Sequence, residues 1–130
     1  MTNDTMESFV RSSSDMKWVS PDTKTVEIFT LMKKNKIHHL PVVDNGKAVG
    51  IISDRDVSFV DKAGDAFELS AKDIMTEGPV SVDRLTTIPH AVQLMRQNKV
   101  NSVLVHDDKE KLIGIFTSAD VMDILLDTYK

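Results

Sequence analysis

Apolar residues recur along the second half of the chain with two periods, one typical of helices and one of strands. Ile88, Val92 and Met95 share one face of a helix predicted over residues 87–99, and Pro89 lies near its start, where its missing N–H costs little. Strands are predicted at residues 79–82, 102–105 and 112–116, and a last helix at residues 118–127. This half therefore has the order strand, helix, strand, strand, helix.

The first half of the chain shows the same order of elements. An apolar strand is predicted over residues 37–43 and its partner over residues 48–52, with Asn45-Gly46 between them. Asn-Gly is the strongest short signal for a two-residue hairpin. A strand–helix–strand link favours a right-handed crossover and parallel pairing, to which the hairpin adds an antiparallel strand.

The two halves are copies of one pattern. Residues 31–37 resemble residues 94–100 at an offset of 63, and one inserted residue in the turn at 107–110 raises the offset to 64, so that residues 50–53 match residues 114–117. Neither half alone can bury its sheet and helix faces, so we expect the two to pack together as a pseudo-dimer. We predict an N-terminal segment with the first repeat at 1–62, a linker at 63–72 and the second repeat at 73–130.

Composition excludes several classes of protein. The chain has 130 residues, no cysteine and a formal net charge of -4, so disulfides and thiolate chemistry are excluded and a nucleic-acid partner is not expected. The basic run Lys33, Lys34 and Lys36 is better explained as the end of a helix, where cations complement the dipole. The first residues are polar and no apolar run is long enough to span a membrane, so we expect a cytoplasmic protein without a membrane partner.

Catalytic and metal-binding motifs are missing from the sequence. It contains no glycine-rich phosphate loop, no His-Glu-x-x-His and no Gly-x-Ser-x-Gly, so we expect no enzyme activity. His38 and His39 are adjacent on a predicted strand and point to opposite faces, so they cannot readily chelate one metal ion.

Short motifs recur in the same order in both halves. The first half carries Val19-Ser20-Pro21-Asp22-Thr23, then the segments 37–44 and 49–57; the second opens with 73–80 and closes with 114–120. Together they resemble a tandem CBS domain pair, or Bateman module, over about residues 9–127. The resemblance implies an α+β (α/β-like) fold of two pseudo-symmetric β-α-β-β-α repeats packed through their sheets, here as a stand-alone CBS domain protein. One departure concerns the lead-in, the segment that precedes each repeat. Ser12-Ser13 stands where the second repeat has Met75-Thr76, so the lead-in of the first repeat is degenerate.

The resemblance also implies a ligand. The family's motif of glycine, two apolar residues, Ser or Thr, two variable residues and Asp lies at residues 50–56 and again at 114–120. It implies that an adenosine-containing nucleotide (AMP, ADP, ATP or the S-adenosylmethionine class), with or without Mg²⁺, binds in the cleft between the repeats. The aspartate can accept hydrogen bonds from ribose hydroxyls, the hydroxyl and helix N–H groups can face a phosphate, and glycine permits close approach.

The candidate nucleotide-binding residues come from both repeats. They are Ser53, Arg55, Asp56, Thr117, Ser118, Asp120, Thr76, Gly78, Pro79, Val80, Ile37, His38, His39, Val100, Asn101 and Ser102. Each has an alternative explanation, since Ser53-x-x-Asp56 and Thr117-x-x-Asp120 are nearly capping boxes that would form without a ligand. The segment 76–80 could be a plain turn and Arg55 a solvated surface residue. The alternative for the other strand candidates is an ordinary strand residue in each case: Ile37, His38, His39, Val100, Asn101 and Ser102.

Two functions follow from these observations. The first is a regulatory, signal-transducing module that senses a nucleotide and acts on an unknown effector protein in trans. The alternative is a ligand-free scaffold for protein–protein interaction or dimerisation. In either case we expect a homodimer, because two-fold closure is the commonest assembly. If only one nucleotide site works, we expect it to use residues 75–79 with Thr117 and Asp120.

Overall fold

The computed structural model of the chain describes residues 4–12, 16–64 and 68–129. They form two compact units, each with its own sheet. The first-repeat unit is Lys17–Pro79, and the second-repeat unit joins Met1–Met16 to Val80–Lys130. In chain order the elements are α1 (Met6–Ser12), α2 (Thr25–Asn35), β1 (His39–Asp44), β2 (Lys47–Ser53), α3 (Asp54–Ala63), α4 (Ala71–Ile74), β3 (Thr76–Glu77), β4 (Ser81–Asp83), α5 (Ile88–Asn98), β5 (Ser102–His106), β6 (Leu112–Thr117) and α6 (Ser118–Thr128).

The first-repeat sheet has the strand order β1-β2-β3 and is antiparallel. Its predicted hairpin is confirmed, because Asn45 and Gly46 both take positive φ, 54° and 83°, between β1 and β2. The strand expected before the helix is reduced to one parallel bridge between Val19 and Val42. Pro21 explains the loss, since a residue without an N–H cannot extend the ladder.

The second-repeat sheet has the order β4-β5-β6, with β4 parallel and β6 antiparallel to β5. Val82 pairs with Val105 in the same position as Val19 with Val42 in the other unit. Both sheets also shift register at the corresponding step, after Val42 in one and after Val105 in the other. The predicted repeat and the α+β fold class are therefore confirmed.

Each unit buries an apolar core between its sheet and its helices. In the first-repeat unit Ile28 and Met32 of α2 pack with Leu40 and Ile52. In the second-repeat unit Met95 of α5 packs with Val105 and Phe116, among others. The helix predicted over 87–99 is confirmed, with Thr87 as its N-cap and Lys99 as its left-handed C-cap. Lys33 and Lys34 do lie in the last turn of α2, as predicted.

The segment that leads into each repeat packs in the unit of the other repeat. Residues 4–12 join the second-repeat unit, where Thr5 bridges Thr87 and Met6 is fully buried. Residues 68–77 join the first-repeat unit, where Ser70 bridges Lys24 and Ala71 is fully buried. The compact units of the structure therefore do not coincide with the repeats as divided in the sequence. The end of the first repeat at 62 and the start of the second at 73 remain predictions.

The expectation of a degenerate first lead-in is wrong. Val10 packs against Gly114 as Met75 packs against Gly50, and the other equivalent positions of the two lead-ins, such as Thr5 and Ser70, also stand 65 residues apart. The offset of 63, which holds between the helices, had placed Ser12 opposite Met75. The two lead-ins differ in spacing from the rest of the repeat, so sequence comparison at a fixed offset misses the match.

An arginine fork attaches the first lead-in to its unit. Arg84 donates from Nε and Nη2 to the two carboxylate oxygens of Asp108, both at 3.2 Å, and from Nη1 to Glu7 on α1. These hydrogen bonds, first to Asp108 and then to Glu7, raise the pKa of Arg84. None of the helices in the described part of the chain is both long and apolar enough to cross a membrane.

Candidate functional site

The first copy of the Gly-to-Asp motif folds as a capping box at the start of α3. The Ser53 backbone N–H and hydroxyl both donate to Oδ2 of Asp56, at 2.9 and 3.0 Å, and the Asp56 N–H donates back to the Ser53 hydroxyl at 3.3 Å. Asp replaces the usual Glu at the third helical position because its shorter side chain still reaches the N-cap backbone. The cap interpretation is therefore correct for this copy.

The second copy has the same geometry at the start of α6. The Thr117 N–H and hydroxyl donate to Oδ2 of Asp120 at 2.7 and 3.1 Å. In both copies one carboxylate oxygen takes two hydrogen bonds, while Oδ1 accepts none from any residue that the structure describes. Each aspartate is half-buried, so this second oxygen can still accept a hydrogen bond from a ligand hydroxyl.

A third box of the same kind occurs where the sequence analysis assigned no site. Ser70 donates from its N–H and its hydroxyl to Oδ2 of Asp73, at 2.9 and 3.0 Å, at the start of α4. These hydrogen bonds from Ser70 lower the pKa of Asp73. The Ser-x-x-Asp spacing was a readable signal for this cap. Since no Gly-to-Asp motif surrounds it, the box by itself does not identify a nucleotide site.

The histidines predicted for the first-repeat unit lie beside its capping box. His39 pairs with Ser53 across the β1–β2 ladder, and the Asp54 N–H donates to the His38 carbonyl at 3.0 Å. The His38 Nδ1 and the Asp54 Oδ2 are 2.9 Å apart, although both side chains are largely exposed. Burial lowers the pKa of His39, with Asp54 acting in the opposite direction. Asp54 was missed by the sequence analysis, because only the hairpin register brings it next to His38.

The second-repeat unit brings together the corresponding residues. Ser102 pairs with Thr117 across the β5–β6 ladder, and the Ser118 N–H donates to the Asn101 carbonyl at 2.9 Å. Val80 accepts a hydrogen bond from the Leu104 N–H at 2.9 Å, which fixes it at the start of this sheet. We call these two sets the α3 half-site and the α6 half-site. Their members are His38, His39, Ser53, Asp54, Arg55 and Asp56 for the α3 half-site, and Asn101, Ser102, Thr117, Ser118, Ala119 and Asp120 for the α6 half-site.

The other predicted residues have surroundings that differ from those of the half-sites. Ile37 and Val100 pack against the cores of their units, so packing accounts for both. Thr76 pairs with Ile51 on β2 and is exposed, as are Arg55 and Gly78. Gly78 takes a φ of 60°, which explains glycine there. Pro79 follows Gly78 and is half-buried at the end of the first-repeat unit.

The motif glycines have a different role from the one expected. An added Cβ on Gly50 would lie 2.3 Å from the sulfur of Met75, and one on Gly114 would lie 2.5 Å from Cγ2 of Val10. Neither glycine has a positive φ. The space above each glycine is therefore filled by a lead-in side chain rather than left for close approach of a ligand.

Comparison with known proteins identifies the pattern. The family model of the CBS domain matches residues 8–61 and 71–127. A CBS domain-containing protein of Dictyostelium discoideum is 32% identical over 126 residues, covering 88% of this chain and 87% of that protein. An inosine-5'-monophosphate dehydrogenase of Methanocaldococcus jannaschii is 38% identical over 109 residues, covering 83% of this chain. The chain spans only about a fifth of the length of the dehydrogenases it matches, 21% in this case.

Solved structures show the same fold. CBSX2 in complex with AMP has a TM-score of 0.82 and 27% identity, covering 97% of this chain and 98% of that one; CBSX2 from Arabidopsis thaliana is also among the similar structures. The CBS domain pair of protein MJ0100, in complex with 5'-methylthioadenosine and S-adenosyl-L-methionine, has a TM-score of 0.84 and 24% identity, covering 96% of this chain and 98% of that one. The MJ0100 likeness supports the fold.

Proposed function

Because the chain belongs to the CBS domain family, we propose that it is a regulatory module that binds an adenosine-containing nucleotide through its two Gly-to-Asp motifs. The observation that carries this proposal is the second oxygen of Asp56 and of Asp120. Each aspartate caps its helix with Oδ2, and none of the residues that the structure describes donates to its Oδ1, so one residue can serve as both cap and ribose acceptor. The choice between cap and ligand site is therefore not exclusive.

The ligand class rests on a relative and on the chemistry of the half-sites. CBSX2, 27% identical over nearly the whole chain, is known in complex with AMP. The hydroxyl protons of Ser53 and Thr117 are donated to the aspartates, so these oxygens suit a ribose hydroxyl as acceptors. Of the first three N–H groups of each helix, the first and third have partners, which leaves, within the described part of the chain, the N–H of Arg55 and of Ala119 to face a phosphate. The dehydrogenase activity of other relatives is not part of the proposal, because this chain matches so small a share of them. We propose binding and signalling to an effector protein rather than catalysis.

A titration with AMP tests the proposal. AMP at 100 times its dissociation constant stabilises a protein by about 2.7 kcal/mol, which thermal unfolding detects easily. Asp56→Asn and Asp120→Asn should each weaken or abolish the stabilisation while leaving the fold intact. Asp73→Asn is the matched control, because it alters the same capping box on α4 outside both motifs and should leave AMP binding unchanged. Wild-type protein that shows no shift with millimolar AMP would refute the proposal.

One surface favours dimerisation, with or without a ligand. On α6, Val121 and Ile124 pack against the core of the second-repeat unit, whereas neighbouring apolar side chains are exposed. Met122, Leu125, Leu126 and Tyr129 are 64%, 47%, 70% and 83% exposed. The spacing of three and four residues places Met122, Leu125 and Leu126 on one helix face, and Tyr129 follows directly after the end of the helix. Such a contiguous apolar face is typical of an interaction surface, and we propose that a second copy of the chain covers it.

Light scattering on a charged variant tests the dimer. If α6 forms the contact, Leu126→Glu should halve the measured mass without lowering the content of helix and strand. The matched control is Asp123→Lys. This variant also changes the charge of an exposed side chain on α6, but Asp123 is not one of the exposed apolar residues. A wild-type mass equal to that of one chain at high concentration would exclude this proposal.

A further inference from the structure

The two half-sites have the same backbone geometry but different titratable groups. His38 and His39 in the α3 half-site correspond to Asn101 and Ser102 in the α6 half-site, at the same ladder positions. Histidine is the side chain whose ordinary charge change falls between pH 5 and 8. The α3 half-site therefore carries two imidazoles where the α6 half-site carries an amide and a hydroxyl.

Geometry holds both histidines at the entrance to α3. His38 accepts the Asp54 N–H at its carbonyl and contacts the Asp54 carboxylate through Nδ1, so its ring lies against the first turn of the helix. His39 is half-buried and pairs with Ser53, the N-cap residue whose hydroxyl contacts Asp56. The His38 imidazole therefore contacts Asp54, and the backbone of His39 is paired with Ser53, one of the residues that the proposed function assigns to the nucleotide.

The surrounding charges are fixed over the same pH range. Within the half-site Asp54 and Asp56 are negative and Arg55 is positive, which gives a net charge of about -1 when both histidines are neutral. The groups that act electrostatically on His39 are Asp54 and His38. Protonation of His39 would cancel this negative charge.

We propose that the α3 half-site couples nucleotide binding to pH, so that a phosphorylated ligand binds there more tightly as the pH falls from 8 to 6. This inference rests on the proposed function and adds a regulatory input to it. The anionic phosphate favours the protonated imidazoles, and protonation in turn favours the phosphate, since the two effects are linked and reciprocal. One added charge at about 4 Å in a water-like dielectric corresponds to roughly fivefold in affinity.

The environment of His39 agrees with this coupling. Burial lowers the pKa of His39 in the free protein, and electrostatic repulsion from His38 acts in the same direction. Asp54 raises this pKa. A bound phosphate would oppose both lowering effects, because it supplies a negative charge beside a partly desolvated ring. Binding of the nucleotide should therefore be accompanied by proton uptake.

The experiment compares wild type with His38→Asn/His39→Ser, which gives the α3 half-site the residues of the α6 half-site. Isothermal titration with AMP at pH 8 and pH 6, at constant ionic strength, measures the affinities. Wild-type affinity should rise relative to the double variant by about fivefold or more between the two pH values. The phosphate of AMP also titrates near pH 6, but this affects both proteins equally and cancels in the comparison.

Two controls make the outcome decisive. Adenosine, which has the same base and ribose without a phosphate, should show no difference between the two proteins in pH dependence. The single variant His38→Asn changes an exposed side chain and keeps the experiment valid if the double variant unfolds. Equal pH profiles for AMP in wild type and variants would overturn this inference alone. Absence of AMP binding at both pH values would overturn the proposed function, and this inference with it.

Discussion

Gly114→Ala is the substitution for which the structure makes the sharpest prediction. Gly114 lies on β6 with a φ that any residue can adopt, so its backbone alone gives no reason for glycine. On that ground alanine should stabilise the protein by about 0.4–1 kcal/mol, because it restricts the unfolded chain. The added Cβ, however, would lie 2.5 Å from Cγ2 and 3.2 Å from Cγ1 of Val10.

We expect overpacking to outweigh the effect on the unfolded chain, so that Gly114→Ala lowers the free energy of unfolding. Val10 is β-branched and sits on a helix, where it has one strongly preferred rotamer, so it cannot easily turn away. Forcing a methyl group into a filled space costs about 1–3 kcal/mol. After the gain from the unfolded state is subtracted, we expect Gly114→Ala to lower the free energy of unfolding by about 1–2 kcal/mol.

A double-mutant cycle with Val10→Ala isolates the contact. Val10→Ala alone removes two partly buried methyl carbons and should cost about 1 kcal/mol. The double variant should be about as stable as Val10→Ala, because the new methyl group occupies the vacated space, which gives a coupling energy of at least about 1 kcal/mol. Urea unfolding at fixed protein concentration, with an unchanged m-value, provides the free energies. Strictly additive costs, or a stabilised Gly114→Ala, would refute the packing argument.

Two further predictions concern local structure. Lys99 ends α5 with a φ of 55°, so Lys99→Gly should stabilise by about 0.5–1 kcal/mol, whereas Gln97→Gly inside the same helix should destabilise by about 1 kcal/mol; equal effects in urea unfolding would contradict this. Backbone hydrogen bonds lower the pKa of Asp73 and of Asp107 below the ordinary 3.8, so their stabilisation is complete above that value and is lost as the pH falls through the folded pKa. Asp73→Asn/Asp107→Asn should therefore flatten the fall of stability between about pH 4 and pH 2; an unchanged slope would count against it.

Local patterns predicted most of the secondary structure because they act over a few residues. The Asn45-Gly46 turn, the helix before Lys99 and the two copies of the Gly-to-Asp motif each depend on neighbours within about five positions. The same is true of the capping boxes at Ser53 and Thr117, whose donors and acceptors lie three residues apart. Such features follow from periodicity and side-chain chemistry without knowledge of the rest of the fold.

The candidate site was predicted less completely. The aspartates and hydroxyls were found from their spacing, but the His38–Asp54 contact spans 16 residues and depends on the hairpin register. The role assigned to the motif glycines was wrong for a similar reason. What fills the space above Gly50 and Gly114 is a side chain 25 residues away in one case and 104 in the other. No local pattern contains that information.

The sequence by itself determined that this protein consists of two copies of one α+β repeat, each with a capped helix after its central hairpin. Only the tertiary structure decided that each lead-in packs in the unit of the other repeat. It also decided that Val10, rather than Ser12, occupies the position equivalent to Met75, and that Asp54 lies beside His38. The physical reason is that turns and caps are satisfied by adjacent residues. Burial of a side chain such as Met6 instead requires a complementary surface, which distant parts of the chain supply only after folding.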